Sequence, residues 1–195
     1  MAEQRLPTGY SIREMSWEQL SPLFFEKRPK LFGKALVYPW QRAASEKELE
    51  KYDAMRERYP NPFRICLGLF YEEDLVGWCF GVQKDASHFY MTNSAVEVAH
   101  RRLGLYSALL ERTLEIALAE GFQIIFSRHT ATNNAILIPK LQRGFIISGM
   151  EISDEFGLLL QLRYYANPKR RHMMDVRSGE SLPDEETQRL LGLGN

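Results

Sequence analysis

The sequence predicts an α/β fold in which a central, twisted, mixed β-sheet is flanked by helices. Short apolar runs typical of strands alternate with longer segments of helical period along most of the chain. The stretch Val96–Ser107 has the pattern of a strand that ends, turns through a basic loop and opens a helix. A second apolar strand follows that helix. A strand–helix–strand unit of this length requires a parallel strand pair, so the sheet is mixed.

The N-terminal part predicts one strand and two helices. Gly9–Glu14 is the strand, and Ser16–Phe32 and Ala44–Tyr59 are the helices. The second helix begins at Ser45 with Glu48 three residues later, which is the pattern of a capping box. Its apolar stripe is thin, so we expect it to lie on the surface.

The middle of the chain predicts a β-hairpin. Phe63–Tyr71 and Leu75–Gln83 are its two strands, separated by the turn sequence Glu72-Glu73-Asp74. If the turn occupies the first two of those residues, Cys66 and Cys79 lie opposite each other. In a reducing compartment we expect two buried thiols rather than a disulfide.

The parallel pair and the final hairpin come next. The long strand Ser87–Val98 precedes the helix Leu103–Glu120, after which Phe122–His129 is a buried strand. The remaining predicted elements are a short helix over Asn133–Arg143 and a final hairpin of Phe145–Ile152 with Phe156–Tyr165.

The length of 195 residues suits one domain. We assign residues 1–167 to that domain and residues 168–195 to a polar C-terminal tail, in which Asp184–Leu191 is at most a loosely held helix.

The composition argues against several classes of protein. Lysine plus arginine equals aspartate plus glutamate at 25 each, so no global field attracts nucleic acid or an anionic membrane. The sequence has neither a secretory signal pattern nor an apolar run of about 18 residues, so we expect a cytoplasmic protein. No Cys/His pair has ligand spacing, and we expect no metal site.

The loop before the third long helix predicts an anion site. A strand–turn–helix with Gly104 at the turn aims unpaired backbone N–H groups and the positive end of a helix at one point, which suits a phosphate. The alternative is an ordinary helix start at which glycine serves close packing.

Several fixed points resemble the GNAT (GCN5-related N-acetyltransferase) superfamily. Arg101 and Gly104 match the loop pattern of that family, Asn133 matches the asparagine that opens the next helix, and the pair Gly144-Phe145 matches the usual end of that helix. The resemblance covers about residues 10–165. It implies an acyltransferase that moves acetyl from acetyl-CoA to a primary amine of a small molecule or a protein. Dimerisation is common in the family, so a homodimer stays open.

The resemblance also implies which residues hold the cofactor. Ser94, Ala95 and Val96 would pair their backbone with the pantetheine arm, and Asn133 would reach the cofactor near its thioester. Backbone N–H groups along the loop would hold the pyrophosphate, from Arg102, Leu103, Gly104, Leu105, Tyr106 and Ser107. Tyr106 departs from the family, which prefers Gly or Ala there. Its phenol either narrows the site or contributes its own hydroxyl to catalysis.

The expected catalytic positions also depart from the family. The family's tyrosine acid, four residues before Gly144, is Lys140 here, and two positions that carry a glutamate in other branches are Tyr90 and Arg128. Both substitutions argue against histone and ribosomal-protein substrates. The main remaining candidates are His129, whose ordinary pKa of about 6.5 suits a base, and Glu97, the carboxylate nearest the predicted acetyl site. Each also has a purely structural interpretation. His129 would be a hydrogen-bonded residue at a strand end, and Glu97 would be a solvent-exposed side chain. Tyr164 and Tyr165 on the last strand are further candidate proton donors, and Lys140 suits an acid only if burial lowers its pKa.

The acceptor side is less defined. Aromatic residues are dense in the segment Leu23–Trp40, namely Phe24, Phe25, Phe32, Tyr38 and Trp40. They suit either a pocket for an apolar amine or ordinary helix packing. Two other functions stay open: a CoA-binding module that has lost its chemistry, and a domain that binds another phosphate ligand.

Overall fold

The computed structural model describes residues 6–32, 40–57 and 61–192. For Trp40 it describes the backbone only. Its strands are β1 Tyr10–Glu14, β2 Arg64–Tyr71, β3 Asp74–Gln83, β4 His88–Val96, β5 Ile124–Thr130, β6 Ile146–Ser153 and β7 Gly157–Tyr165. Its helices are α1 Trp17–Phe32, α2 Glu46–Glu57, α3 Leu105–Ala119, α4 Asn134–Gln142, α5 Pro168–Ser178 and α6 Glu185–Leu190. The predicted end of the second helix at Tyr59 lies outside the described residues.

Within the described residues, the seven strands form one sheet in the order β1-β2-β3-β4-β5-β7-β6. The pair β4–β5 is parallel and the other neighbours are antiparallel, which confirms the mixed sheet. The parallel register has only three residue pairs and ends at Tyr90 opposite Phe126. Beyond this point the two strands separate. We call the gap between Met91–Val96 and Ser127–Thr130 the β4–β5 opening.

A hydrophobic cluster packs on each face of the sheet. The larger cluster joins α3 to the strands through residues such as Leu67, Cys79, Leu109 and Ile125. The smaller one lies under α1 and includes Phe24, Trp78, Phe80 and Ala95. Helix α2 buries none of its residues, as its thin apolar stripe predicted. No described helix has both the length and the apolar character to cross a membrane.

The two cysteines are not opposite each other, contrary to our expectation. Cys66 pairs with Phe80, whereas Cys79 pairs with Leu67. The turn does occupy Glu72 and Glu73, but an irregularity between Leu69 and Phe70 shifts the register by one residue. Because successive side chains on a strand point to opposite faces, the shift places the two thiols in different clusters.

The helix starts differ in detail from the prediction. At α2 half of the predicted capping box forms, because the Ser45 N–H donates to the Glu48 carboxylate at 2.8 Å. The Ser45 hydroxyl donates to the same carboxylate at 2.6 Å instead of accepting from the Glu48 N–H. A complete capping box occurs at α1, where the backbone N–H groups of Ser16 and Gln19 donate to each other's side chain at 2.8 and 3.2 Å.

The predicted polar tail contains two helices. The side chain of Asn167 accepts hydrogen bonds from the N–H groups of Lys169 and Arg170 and so caps α5, with Pro168 in its first turn. Arg170 lies over the ring of Tyr165 at 5.6 Å. Composition alone missed this helix because its cap and its ring contact, rather than an apolar stripe, hold it.

Gly81 sits where β3 must approach β4 closely. A Cβ at this position would lie 2.5 Å from the carbonyl oxygen of Tyr90 and 2.5 Å from a ring carbon of Phe89. We expect Gly81→Ala to lower the free energy of unfolding by about 2–3 kcal/mol, because backbone must move to admit the methyl group. Urea denaturation measures this. Gly149→Ala is the control, since nothing lies within 4 Å of a Cβ there. Equal stability of the two variants would contradict the argument.

Candidate cofactor-binding site

A cavity of about 610 Å³ extends from the β4–β5 opening to the start of α3. It is lined by Leu31, Phe32, Ser94, Ala95, Val96, His100, Arg101, Arg102, Gly104, Leu105, Tyr106, Ser107, Asn133, Ala135, Ile136 and Pro139. Nine of the ten residues predicted to hold the cofactor are therefore brought together at one cavity. The tenth, Leu103, does not line it and has 47% of its surface exposed.

The backbone of β4 offers hydrogen-bonding groups to this cavity. The N–H of Glu97 donates to the carbonyl of Val76 at 2.8 Å. Because inward and outward residues alternate in an antiparallel ladder, Ser94 and Val96 direct their N–H and C=O groups away from β3 and into the opening. The backbone of Ala95 faces β3 instead, which corrects the predicted role of that residue in backbone pairing.

The loop from Val96 to α3 is shaped by two residues of left-handed conformation. Arg102 has φ 66° and Gly104 has φ 76°. The Nε of Arg101 donates to the carbonyl of Val96 at 2.9 Å, which ties the loop to the end of the strand. Gly104 is the N-cap of α3 and offers no side-chain cap. The N–H groups of the first helical turn therefore remain for an anion at the cavity.

Several residues that line the cavity were not predicted from the sequence. His100 is one of them, with its Nδ1 2.7 Å from the Tyr10 hydroxyl and its ring 5.6 Å from that of Tyr71. Leu31 and Phe32 reach the cavity from the end of α1. These contacts join residues far apart in the chain, and no local pattern indicates them.

The structure argues against His129 as the catalytic base. Its Nε2 lies 2.9 Å from the hydroxyl of Ser127, and the residue does not line the cavity. Burial, with the charge of Lys140 nearby, lowers the pKa of His129 to about 3. A group that holds a proton so weakly accepts one poorly from an amine near neutral pH.

Glu97 is also unsuited to the role of base. Its carboxylate pairs with the Nζ of Lys27 at 2.7 Å, and both side chains are partly exposed. Neither Lys27 nor Glu97 lines the main cavity. The neighbour that determines its role is 70 residues away in sequence.

Lys140 is fully buried at the base of the β4–β5 opening. Its Nζ donates to the hydroxyl of Ser127 at 2.8 Å and contacts the sulfur of Met91 at 3.1 Å. It lies 4.6 Å from the ring centre of Phe145. Among the described residues no carboxylate pairs with it. Burial lowers the pKa of Lys140 to about 7, so its charge changes near neutrality.

The phenol of Tyr106 turns inward rather than toward the loop. The side chain packs against the larger cluster and lines the cavity, while its hydroxyl is buried with no hydrogen-bond partner. Burial raises the pKa of Tyr106 well above its ordinary value. The phenol therefore stays protonated near neutral pH and packs against the larger cluster.

The opposite face of the sheet carries the two positions where other branches of the family have glutamate. Arg128 donates to the Tyr90 hydroxyl at 3.2 Å and to the Glu151 carboxylate at 2.7 Å. The ring of Tyr90 also lies 4.9 Å from that of Phe126. The two residues thus contact each other where the parallel pair ends, and neither carries a carboxylate.

The aromatic segment near α1 is mainly packing. Phe24 is buried, with ring centres 5.4 Å from Trp78 and 5.1 Å from Phe80. Phe25 is 59% exposed. Tyr38 lies outside the described residues. Phe32 is the one described aromatic residue of this segment that lines the cavity.

Comparison with known proteins decides the family. The sequence profile of the Acetyltransferase (GNAT) family matches residues 14–145, which is more than half of the chain. The chain belongs to the GNAT family of acetyltransferases. The matched segment runs from the end of β1 to Phe145 and so includes the whole loop and the whole of α4. A comparison with proteins of curated function finds none that matches this sequence.

Solved structures of acetyltransferases share the fold at low identity. The yncA protein of Salmonella typhimurium, solved with its cofactor acetyl-CoA, is 15% identical, with a TM-score of 0.60 over 82% of this chain and 95% of that one. The ribosomal-protein-S18-alanine N-acetyltransferase of Escherichia coli is 16% identical, with a TM-score of 0.56 over 81% and 94%. A GNAT acetyltransferase of Elizabethkingia anophelis with acetyl-CoA bound is 13% identical, with a TM-score of 0.53 over 82% and 99%.

Proposed function

We propose that this GNAT protein transfers the acetyl group of acetyl-CoA to a primary amine of a small molecule or a protein. One observation carries the proposal. Unpaired backbone groups of β4 and the uncapped start of α3 face the same cavity of about 610 Å³. Acetyl-CoA presents a diphosphate joined to an extended arm with amide groups, and those two features need these two kinds of partner.

The residues present fit that cofactor in order along the cavity. The N–H groups of the first turn of α3 would bind the diphosphate, where the helix dipole favours negative charge. Ser94 and Val96 would pair with the amides of the pantetheine arm as a neighbouring strand does. Asn133 and Pro139 line the opposite wall, on the side of α4. Two of the similar solved structures hold acetyl-CoA, which supports the same ligand here.

The chemistry places limited demands on the protein. Acetyl-CoA supplies an acetyl group that is already activated as a thioester. A backbone N–H of β4 in the opening can polarise the carbonyl oxygen as charge develops. Among the described residues that line the cavity, none is a carboxylate. We therefore propose that the acceptor amine loses its proton to water and that the protein contributes mainly by positioning.

The first test is calorimetric titration with acetyl-CoA and, separately, with free CoA. We expect micromolar dissociation constants for both, because the diphosphate and pantetheine contacts are common to the two ligands. A panel of amines is then screened for acetyl-CoA-dependent release of thiol. If neither ligand binds, the loop is only a helix start and the proposal is wrong. Displacement of CoA by a simple nucleotide of equal affinity would favour the domain that binds another phosphate ligand.

Tyr90 and Arg128, which replace the glutamates of other branches, favour a second candidate function. Because neither residue carries a carboxylate, and Arg128 holds the nearby Glu151 carboxylate in an ion pair, a CoA-binding module without chemistry is the alternative. Binding of acetyl-CoA with no thiol release for any amine would support it.

A further inference from the structure

Exposed apolar side chains are concentrated in one region of the surface. Seven of the sixteen large apolar side chains that are exposed in the described residues lie between residues 138 and 158. Six of the seven belong to helices and strands, namely Ile138 and Leu141 of α4, Ile147, Met150 and Ile152 of β6, and Leu158 of β7. We call these six residues the α4–β6 patch. Single exposed apolar residues are ordinary, whereas a concentration of them marks an interaction site.

The strand register places the β-strand residues of the patch on one face of the sheet. Ile147, Met150 and Ile152 lie opposite Leu162, Leu160 and Leu158, respectively. Directly opposite residues of an antiparallel pair have their side chains on the same face. Leu162 belongs to the larger cluster, and Leu160 packs against it. The patch therefore continues the α3 side of the sheet out to the edge strand, where the side chains are exposed.

Helix α4 borders the same surface. Ile138 and Leu141 are three residues apart and so lie on one side of the helix. On the other side, Arg143 pairs with Glu111 of α3, and Pro139 lines the cavity. The side with Ile138 and Leu141 thus faces away from α3. In the sheet order this is the direction of β7 and β6, so the helix and the strands contribute to one apolar surface.

The patch and the edge strand beside it carry little charge. β6 contains no lysine, arginine or proline, which are residues that commonly keep an edge strand from associating with another chain. Its one charged residue, Glu151, pairs with Arg128. The whole chain has 25 basic and 25 acidic residues, so two copies do not repel each other through net charge. A surface of this kind is complementary to itself rather than to a charged partner.

The exposed area suits an interface between two copies. The exposed fractions of the six side chains amount to about three and a half whole side chains, or about 350 Å² of apolar surface at about 100 Å² for each. A stable interface buries about 800 Å² on each partner, of which about 60% is apolar. The patch supplies most of that apolar part. We propose that a second copy of this chain docks on the α4–β6 patch and forms a dimer with two-fold symmetry.

This dimer leaves the cofactor cavity open. None of the six patch residues lines the cavity. In a two-fold interface the same patch of both copies is buried, so a single substitution enters the interface twice. A lysine in the patch therefore places two like charges in an apolar contact, where neither has a partner.

Sedimentation velocity over a range of protein concentrations tests the proposal. We expect the wild type to dimerise with a micromolar or lower dissociation constant, and Met150→Lys and Ile152→Lys to raise that constant at least about 100-fold. The matched controls are Met55→Lys on α2 and Leu182→Lys. Those two side chains are 64% and 89% exposed outside the patch, compared with 73% for Met150 and 88% for Ile152. Both controls should remain dimeric, and all four variants should keep the circular dichroism spectrum of the wild type.

High salt provides a second measurement. An apolar dimer should persist in about 1 M NaCl, where the Debye length is only about 3 Å. Dissociation by salt would show an interface of ion pairs and overturn the proposal. A monomeric wild type would also overturn it, as would a dimer that Met150→Lys and Ile152→Lys leave intact, since another face would then be used. Association into larger assemblies would contradict the two-fold contact.

Discussion

Gly104→Asp is expected to abolish the binding of acetyl-CoA while the protein stays folded. Gly104 caps α3, lines the cavity and lies among the N–H groups that we assign to the diphosphate. A carboxylate there would face the phosphates. Two unit charges about 4 Å apart repel by about 4 kcal/mol at an effective dielectric constant of about 20, which corresponds to a loss of affinity of about 1000-fold. Calorimetric titration with acetyl-CoA measures the loss.

Gly104→Asn is the matched control for this substitution. Gly104 has φ 76°, so any side chain adds backbone strain, but Asn and Asp tolerate the left-handed region similarly and both serve as N-caps. The two variants should therefore have the same melting temperature. Only the aspartate should lose binding by orders of magnitude. If both variants weaken binding equally, shape rather than charge is responsible, and if neither does, the phosphate site is not at this loop.

Lys140→Met is expected to stabilise the fold by about 2–4 kcal/mol at pH 6. The amine is fully buried, no described carboxylate compensates it, and its pKa is about 7 compared with an ordinary value of 10.5. Each unit of pKa shift corresponds to about 1.4 kcal/mol of preference for the neutral form. Methionine fills a similar volume without a charge, and the loss of the bond to Ser127 offsets part of the gain.

The way in which stability changes with pH distinguishes a charge effect of Lys140→Met from a packing effect. Between about pH 7 and 10.5 the unfolded state binds more protons at Lys140 than the folded state, so the wild type gains stability as the pH rises. The advantage of Lys140→Met should therefore be complete below pH 7 and vanish near pH 10. Urea denaturation at several pH values measures it, with Lys51→Met on the surface of α2 as the control. A gain that is constant with pH would indicate packing alone, and a loss at pH 6 would contradict the argument.

Local patterns predicted most of the fold. The strand–helix–strand unit that ends at His129 required a parallel pair, and the sheet contains one in that place. The pairing of Cys66 and Cys79 failed because a single irregularity after Leu69 shifts the register, and periodicity does not indicate irregularities of this kind. The capping box of Ser16 and Gln19 has the expected spacing and was detectable from the sequence.

The candidate site likewise has one part that the local sequence predicts and another that depends on tertiary contacts. The loop around Gly104 depends on backbone geometry, which local sequence encodes, and the structure places its predicted residues at one cavity. The roles of His129 and Glu97 depend on their neighbours instead. His129 lies near Lys140, and Glu97 pairs with Lys27. These partners come from other helices, so their effects on proton affinity and charge could not be predicted before the fold was known.

The narrow parallel register has a mechanical consequence. The chain passes from β1–β4 to β5–β7 only once, through α3, so each antiparallel part of the sheet is contiguous in sequence. The two parts meet along a seam of three residue pairs. The cavity spans that seam, with Ser94 on one side and Asn133 on the other. A ligand that contacts both sides therefore stabilises the association of the two parts of the sheet, which share few backbone hydrogen bonds.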